Sequence, residues 1–213
     1  MDIIKAMESL SCKRGIFHSE ADFQFALAWE IKGLYPDCSV RLEVPFRIRM
    51  KGRIDILVRL DDDIYPIEVK YIKKTFRYSD GNDHYDLVNG VHDLDMYNCM
   101  VDIMRMENFA EQLAGFYTGY VIWLTNDSAY WISKYKSTYY REFHAPDGSV
   151  KTGTMRFLSS NPKTGKPPQI LEMKGYQSPI SLKDSYLIRW RLYSDLAVPK
   201  GLFKYAVIPI TSQ

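Results

Sequence analysis

The sequence predicts an α/β fold in which a helix, three strands, a second helix and a further strand follow one another along the chain. Two stretches, Arg53–Leu60 and Ile64–Tyr71, alternate apolar and polar residues, and this period of two is typical of strands. The segments on either side, Ser19–Leu34 and Asp86–Ala110, carry apolar residues at helical spacing instead. Tyr117–Leu124 is almost continuously apolar, which indicates a strand in a sheet that is covered on both faces.

The first helix is predicted over Ser19–Leu34, and the strand Ser39–Phe46 follows it. Ser19 is a favourable N-cap residue for this helix. Glu20 and Gln24 lie one turn apart on the same helix face. Glu20 alone is better explained as a first-turn acid that interacts with the positive end of the helix dipole, so it becomes a candidate only in combination with other residues.

The two alternating stretches are predicted to form a hairpin. Asp61-Asp62 is a suitable two-residue turn, because Asp tolerates left-handed backbone angles, and a turn there pairs Leu60 with Asp63. One face of the hairpin is expected to belong to the core. The residues of that face are Ile54, Ile56, Val58, Ile67, Val69 and Tyr71.

The same register brings three charged side chains to the other face of the hairpin. It places Asp55 opposite Glu68, with Cβ atoms roughly 5 Å apart, and Lys70 follows two residues later on that face. Two carboxylates across a strand pair repel each other, and burial increases the repulsion. A divalent cation removes this conflict, because Mg²⁺ typically takes one or two carboxylates and leaves its other positions to water and phosphate oxygens. The alternative is a solvated face with an ion pair, which is the commoner explanation of an isolated Glu-x-Lys on a strand.

The last third of the sequence is richer in strands. Tyr139–Phe157 is predicted to form a hairpin around Pro146-Asp147-Gly148. Tyr186–Ser194 and Phe203–Ile210 are predicted to be further strands. Residues 139–213 are therefore expected to be a β-rich extension that completes the core sheet or covers it.

Composition limits the number of domains and the class of protein. The chain has 213 residues, of which 46% are hydrophobic, and this suits one domain over residues 1–213 with a substantial core. No apolar run approaches the roughly 18 residues needed to cross a membrane, and the N-terminal segment lacks the plan of a signal peptide. Cys12, Cys38 and Cys99 are widely spaced, so neither a disulfide framework nor a zinc ribbon is indicated. The expected location is a reducing cytoplasm, without a membrane partner.

Basic residues cluster around the hairpin, although the net charge of +2 is small. Such residues could hold phosphates and neighbouring tyrosines could stack on bases, which favours a nucleic acid as the partner. An ordinary mixed surface is the better explanation of any single cluster. The candidate nucleic-acid-binding residues are Arg47, Arg49, Lys51, Arg53, Lys73, Lys74 and Arg77.

From Ser19 to Asn126 the sequence resembles the PD-(D/E)xK nucleases, also called restriction-endonuclease-like. Asp55 falls at the metal-binding Asp of that family, and Glu68-Val69-Lys70 falls at its (D/E)xK tripeptide. Glu20 falls at the acidic residue that is frequent on the first helix of the family, whereas Arg53-Ile54 stands where the family's name would put Pro. The resemblance implies an α-β-β-β-α-β core with a mixed central sheet flanked by helices.

The resemblance also implies roles for the individual residues. Asp55, Glu68 and the Val69 carbonyl would hold Mg²⁺ or Mn²⁺, with Glu20 directly on the metal or supporting its ligands. Lys70 would position the water that attacks phosphorus in line, while the metal offsets charge on the phosphate oxygens.

Three further residues are expected to support the site: Gln24, Asp93 and Tyr97. In exonuclease-like branches of the family, a Gln and a Tyr four residues later follow on the second helix, and Asp93 stands here in place of the Gln. We expect a hydrolase, a metal-dependent nuclease of the restriction-endonuclease type with DNA as its substrate. Cutting of both strands would call for a homodimer. The alternative is a catalytically inactive nucleic-acid-binding or interaction module with the same fold.

Overall fold

A six-stranded β-sheet forms the centre of the protein, and helices cover both of its faces. The computed structural model describes residues 1–46, 52–81, 83–133, 138–176 and 178–211. The helices in these ranges are α1 (Ile3–Lys13), α2 (Glu20–Leu34), α3 (His92–Ala110) and a short 3₁₀ helix (Gln169–Glu172). The strands are β1 (Ser39–Phe46), β2 (Gly52–Leu60), β3 (Asp63–Ile72), β4 (Phe76–Asp80), β5 (Asp83–Leu87), β6 (Thr118–Thr125), β7 (Val150–Met155), β8 (Ile180–Leu187), β9 (Trp190–Asp195) and β10 (Leu202–Thr211).

The strand order in the central sheet is β1-β2-β3-β6-β10-β9. β3 and β6 run parallel and the other neighbours are antiparallel, so the sheet is mixed and the fold is of the α/β class. β4–β5 and β7–β8 form separate two-stranded ribbons. The predicted succession of helix, three strands, helix and strand is found in α2, β1, β2, β3, α3 and β6, with the β4–β5 ribbon inserted before α3.

Two apolar cores lie on opposite faces of the sheet. α1 and α2 pack on one face, where Ile56, Val58 and Ile67 are buried. α3 and β8 pack on the other face, where Leu57 and Trp123 are buried. Successive residues of β6 alternate between the two cores, which confirms the prediction of a strand covered on both sides.

The predicted cap and turn are both confirmed. The Ser19 hydroxyl accepts a hydrogen bond from the Asp22 backbone N–H at 3.1 Å and so caps α2. Asp61 and Asp62 form the turn between β2 and β3, with Asp61 at a φ of 54°. Leu60 pairs with Asp63, as the two-residue turn requires.

Ile54 does not share the core of its predicted neighbours. Ile56 faces α1 and α2, but Ile54 is buried in the core beneath α3. The paired residues of β1 flank Glu43, which has a φ of 54° and lies outside the extended region. The sheet is locally irregular at this point, so strict alternation of faces does not continue through it.

The second predicted helix is α3, and it begins at His92 rather than at Asp86. Asp83–Leu87 is strand β5, which pairs with β4 across a turn that contains Gly81. Gly81 has a φ of 58°, a left-handed conformation that glycine adopts without a steric cost. The alternation in this segment is short and polar, and the prediction therefore extended the helix through it.

The C-terminal extension pairs differently from the prediction. β7 pairs with β8, so Tyr139–Phe157 is not a hairpin, and Tyr186–Ser194 is divided between β8 and β9. The turn at Gly148 is present, but its N–H donates at 2.9 Å to the carbonyl of Ile188 from a distant part of the chain. β9 and β10 extend the central sheet, whereas β7–β8 form a ribbon packed on α3.

Helix α1 was not predicted, although its signal is present in the sequence. Its buried residues Ile3, Met7 and Leu10 follow helical spacing, and the Asp2 carboxylate caps it by accepting from the Lys5 backbone N–H at 3.0 Å. Across the described ranges, none of the helices combines the length and the apolar character that a membrane span requires.

Replacing Ser19 with Ala should destabilise the protein by about 1 kcal/mol, because the first turn of α2 loses its side-chain cap. Ser19→Asn, which keeps an acceptor at this position, is the matched control and should stay close to the wild type. Urea unfolding measures both variants, and an unchanged midpoint for Ser19→Ala would show that the cap does not contribute.

Candidate active site

Regular pairing between β2 and β3 ends where the candidate residues begin. The register runs from the turn as far as Ile56 and Ile67, and the next pair would be Asp55 and Glu68. The Asp55 carboxylate instead accepts a hydrogen bond from the Val69 backbone N–H at 2.8 Å. A side chain thus replaces a backbone partner, and Asp55 and Glu68 come close enough for their carboxyl groups to interact directly.

Helix α2 contributes two of the predicted residues. Glu20 accepts a hydrogen bond from the Tyr71 backbone N–H at 2.8 Å, and its other oxygen lies 3.9 Å from Lys70 Nζ. Gln24, one turn later, donates through Nε2 to the Asp55 carbonyl at 2.6 Å. Helix α2 is therefore tied to β2 and β3 at the point where the two strands separate.

Helix α3 contributes two residues that were not predicted. Asp102 Oδ2 lies 3.4 Å from Lys70 Nζ. Arg105 Nη2 lies 3.2 Å from Glu68 Oε1 and donates to the Arg53 carbonyl at 2.7 Å. The available signal in the sequence was the spacing of Asp102 and Arg105, which places them on one face of the predicted helix. In the structure Asp102 is only 4% exposed.

The four acids and two bases at this place form what we call the carboxylate cluster: Glu20, Asp55, Glu68, Asp102, Lys70 and Arg105. When every group is ionised, the cluster has two more negative than positive charges. Burial, and after it the charge of Asp55, raises the pKa of Glu68 well above the usual value. Burial likewise raises the pKa of Asp55, and it raises the pKa of Asp102 to about 6. These carboxyl groups therefore bind a proton more readily than exposed acids do, and a cation could take the place of such a proton.

Lys70 stays positively charged in this environment. Burial lowers its pKa, but the charges of Asp102 and Glu20 outweigh burial and raise it overall. A lysine held as an ammonium can orient a water molecule or stabilise negative charge. It is poorly suited to remove a proton from that water.

The residues present are suited to a hard divalent cation. Glu68 Oε1 is buried and makes no hydrogen bond of acceptable geometry, even though Arg105 Nη2 is near. The Val69 N–H faces Asp55, and its carbonyl belongs on the same side, because a paired residue directs both groups to one neighbour. Within the described ranges, no three or more His, Cys, Asp or Glu side chains lie together as a set of metal ligands. The candidate ligands at this place are two side chains and one backbone carbonyl. Two carboxylates and a carbonyl suit Mg²⁺, which keeps several water ligands.

Asp93 and Tyr97 do not lie at the carboxylate cluster, contrary to the supporting role expected for them. Asp93 accepts a hydrogen bond from the Tyr139 hydroxyl, and the Tyr97 hydroxyl donates to the Ser178 carbonyl at 3.1 Å. At about 100° per residue, both lie on roughly the opposite side of α3 from Asp102. They fasten the C-terminal extension to the helix instead.

Some of the predicted nucleic-acid-binding residues are exposed. Arg53 lies 3.6 Å from Glu43, and Arg77 lies 3.3 Å from Asp86, in two exposed pairs. Lys73 Nζ lies 5.9 Å from the centre of the Tyr71 ring. Three further residues of this prediction lie outside the described residues: Arg47, Arg49 and Lys51.

Lys74 is held in a separate ion-pair network. Its Nζ lies 3.0 Å from the carboxylate of Asp127, which is 1% exposed and also contacts His92 Nε2 at 2.6 Å. Burial raises the pKa of Asp127, but its hydrogen bonds with His92, the Ala129 N–H and Lys74 outweigh burial and lower it. Lys74 therefore stabilises a buried carboxylate, and this contact competes with phosphate binding.

Comparisons of the chain with models of protein families, with curated proteins and with solved structures found no match. Function is therefore inferred from the side chains of the carboxylate cluster and from their charges.

Replacing Glu68 with Gln should stabilise the metal-free protein increasingly as the pH rises. A pKa above the unfolded value gives stability that is present in acid and is lost as the pH rises towards the folded pKa. Gln cannot ionise, so its advantage over Glu should grow by up to about 1.4 kcal/mol per pH unit in that window. Urea unfolding in a chelator at about pH 5 and about pH 8 measures this difference.

The matched control for this prediction is Glu8→Gln, which changes an exposed acid on α1. The difference between this control and the wild type should not change with pH. An advantage of Glu68→Gln that is equal at both pH values would contradict the burial of an ionisable Glu68.

Proposed function

We propose that the protein is a metal-dependent nuclease that hydrolyses phosphodiester bonds in nucleic acid, with DNA as the substrate. The observation that carries the proposal is the Asp55–Glu68 carboxyl pair, in which Glu68 is buried and Asp55 is half-buried, beside the charged Lys70 at the end of the β2–β3 pairing. Such a pair is costly in the protein alone and favourable around a divalent cation.

The order and pairing of the elements support a restriction-endonuclease-like core. α2, the three antiparallel strands β1 to β3, α3 and the parallel strand β6 occur in the expected succession. The candidate acids come from α2, β2 and β3, as that arrangement would require.

Asp55, Glu68 and the Val69 carbonyl are the groups that would hold Mg²⁺ or Mn²⁺. When bound, such an ion supplies positive charge to phosphate oxygens and lowers the pKa of water. Glu20 keeps the end of β3 in place through the Tyr71 N–H and lies near Lys70, which fits a supporting role.

The two cationic side chains of the carboxylate cluster would stabilise negative charge on the phosphate. Lys70 would orient the attacking water and offset charge that develops on the phosphorane oxygens. Asp102 keeps Lys70 protonated and fixes its position from α3. Arg105, close to Glu68, would contribute further positive charge.

The substrate could continue from this place onto an exposed surface. Arg53 is exposed next to the carboxylate cluster, and its backbone carbonyl already holds Arg105.

Nicking of a supercoiled plasmid tests the proposal. The wild type should nick DNA with Mg²⁺ or Mn²⁺ and not in a chelator. Glu68→Gln and Lys70→Met should each lower the rate by roughly a hundredfold or more, since each removes a charge that acts on the transition state. Glu8→Gln and Lys163→Met, at exposed positions outside the cluster, are the matched controls and should keep the wild-type rate.

Equal nicking by the wild type and Glu68→Gln, or nicking that survives chelation, would refute the proposal. Metal-dependent binding of DNA in a gel-shift assay, without any nicking, would instead support the binding module with the same fold.

A further inference from the structure

Glu43 on β1 has an unusual backbone conformation for a residue inside a strand. Its φ is 54°, which lies in the left-handed region that favours glycine. Among the described residues other than glycine, Asp61, Ala197 and Lys200 also have a positive φ, but these three lie between strands rather than within one. A strained residue costs free energy, and such residues concentrate at functional sites.

The strained residue lies directly opposite Asp55 on β2. The neighbours of Glu43 along β1 pair regularly with the neighbours of Asp55 along β2, so the two acids face each other between these pairs. The pairs are Leu42–Ile56, in the core beneath α1 and α2, and Val44–Ile54, in the core beneath α3. Both strands therefore change faces at this point, and the left-handed turn at Glu43 accompanies the departure of Asp55 from the ladder with β3.

The Gln24 side chain joins the two acids. Its Nε2 donates to the Asp55 carbonyl at 2.6 Å and to the Glu43 carboxylate at 3.1 Å. An amide nitrogen has two N–H groups, so these two acceptors use both of them and fix the direction in which the amide points. Gln24 is buried and Glu43 is exposed, so Glu43 contacts the buried amide from the surface of the protein.

The second polar neighbour of Glu43 holds it weakly. Arg53 Nη1 lies 3.6 Å from Glu43 Oε2, and both side chains are exposed. Solvent screens ion pairs on the surface, so they contribute little. The hydrogen bond with Gln24 is therefore the contact through which Glu43 acts on the candidate site.

We propose that Glu43 is a positioning residue of the candidate site. Its carboxylate orients the Gln24 amide. This amide in turn holds the backbone of Asp55 in the position from which the Asp55 carboxylate accepts from the Val69 N–H. Residues that orient metal ligands contribute to metal affinity without contacting the ion. The inference rests on the proposed function, because the ligand that Glu43 positions is one of those assigned to Mg²⁺ or Mn²⁺.

Amide hydrogen exchange in a chelator tests the positioning without any metal. Glu43→Asn suits the left-handed backbone, which Asn tolerates, but its shorter side chain draws the acceptor away from Gln24. Exchange of the Val69 N–H, measured by NMR, should become roughly tenfold faster, because its acceptor on Asp55 is no longer held. Exchange of the Ile122 N–H, in the middle of the central sheet, should stay unchanged if the fold is retained.

Calorimetric titration of the same variants with Mn²⁺ measures the consequence for the metal. Glu43→Asn should weaken Mn²⁺ binding roughly tenfold. Glu43→Gln keeps an oxygen that accepts from Gln24, so it should match the wild type in both measurements. Asp61→Asn is the matched control, because it changes another exposed acid with a φ of 54°, in the turn between β2 and β3, and it should also match the wild type.

An unchanged exchange rate of the Val69 N–H in Glu43→Asn would overturn the proposal. Equal losses of Mn²⁺ affinity in Glu43→Asn and Glu43→Gln would also overturn it, because the charge of Glu43 rather than its hydrogen bond would then act on the ion. A wild type that binds no Mn²⁺, together with faster Val69 exchange in Glu43→Asn, would support the positioning role and refute the metal site of the proposed function.

Discussion

At the point where β2 leaves β3, a side chain takes the place of a backbone hydrogen-bond partner. This exchange determines which charges meet at the candidate site. The Asp55 carboxylate accepts the hydrogen bond of the Val69 N–H, which in a continued ladder would face the backbone of Ile54. The fold therefore fixes Asp55 next to Glu68, and the burial of Glu68 limits the screening of their charges by solvent. Two acids in this position need a proton or a cation between them, and the rest of the site can be understood from that need.

The neighbouring charged side chains neutralise this pair only in part. Lys70 and Arg105 bring positive charge to the cluster, but Asp102 and Glu20 bring as much negative charge with them. Asp102 therefore holds Lys70 as an ammonium without neutralising the Asp55–Glu68 pair. A divalent cation would balance the cluster, and it would also create a place where a phosphate could approach.

The parts of the site that were predictable are those that depend on local sequence. The Asp61-Asp62 turn sets the register that brings Asp55 to Glu68, and a nearby cap, Ser19, sets the start of the helix that carries Glu20. Asp102 and Arg105 could not be found in this way, because their position depends on how α3 packs across the sheet. Helical spacing alone does not say which face of α3 meets the cluster, so Asp93 and Tyr97 were expected there and lie on the other side. The pairing of β7 with β8 is likewise a long-range contact, between segments that a local turn signal cannot connect.

The most direct test of this account is the position of an ion in crystals soaked with Mn²⁺, located by its anomalous scattering. The account predicts a single strong peak between the carboxylates of Asp55 and Glu68, within about 2.5 Å of an oxygen of each and near the Val69 carbonyl. A map without a peak there, from crystals in which both side chains are well ordered, would contradict it.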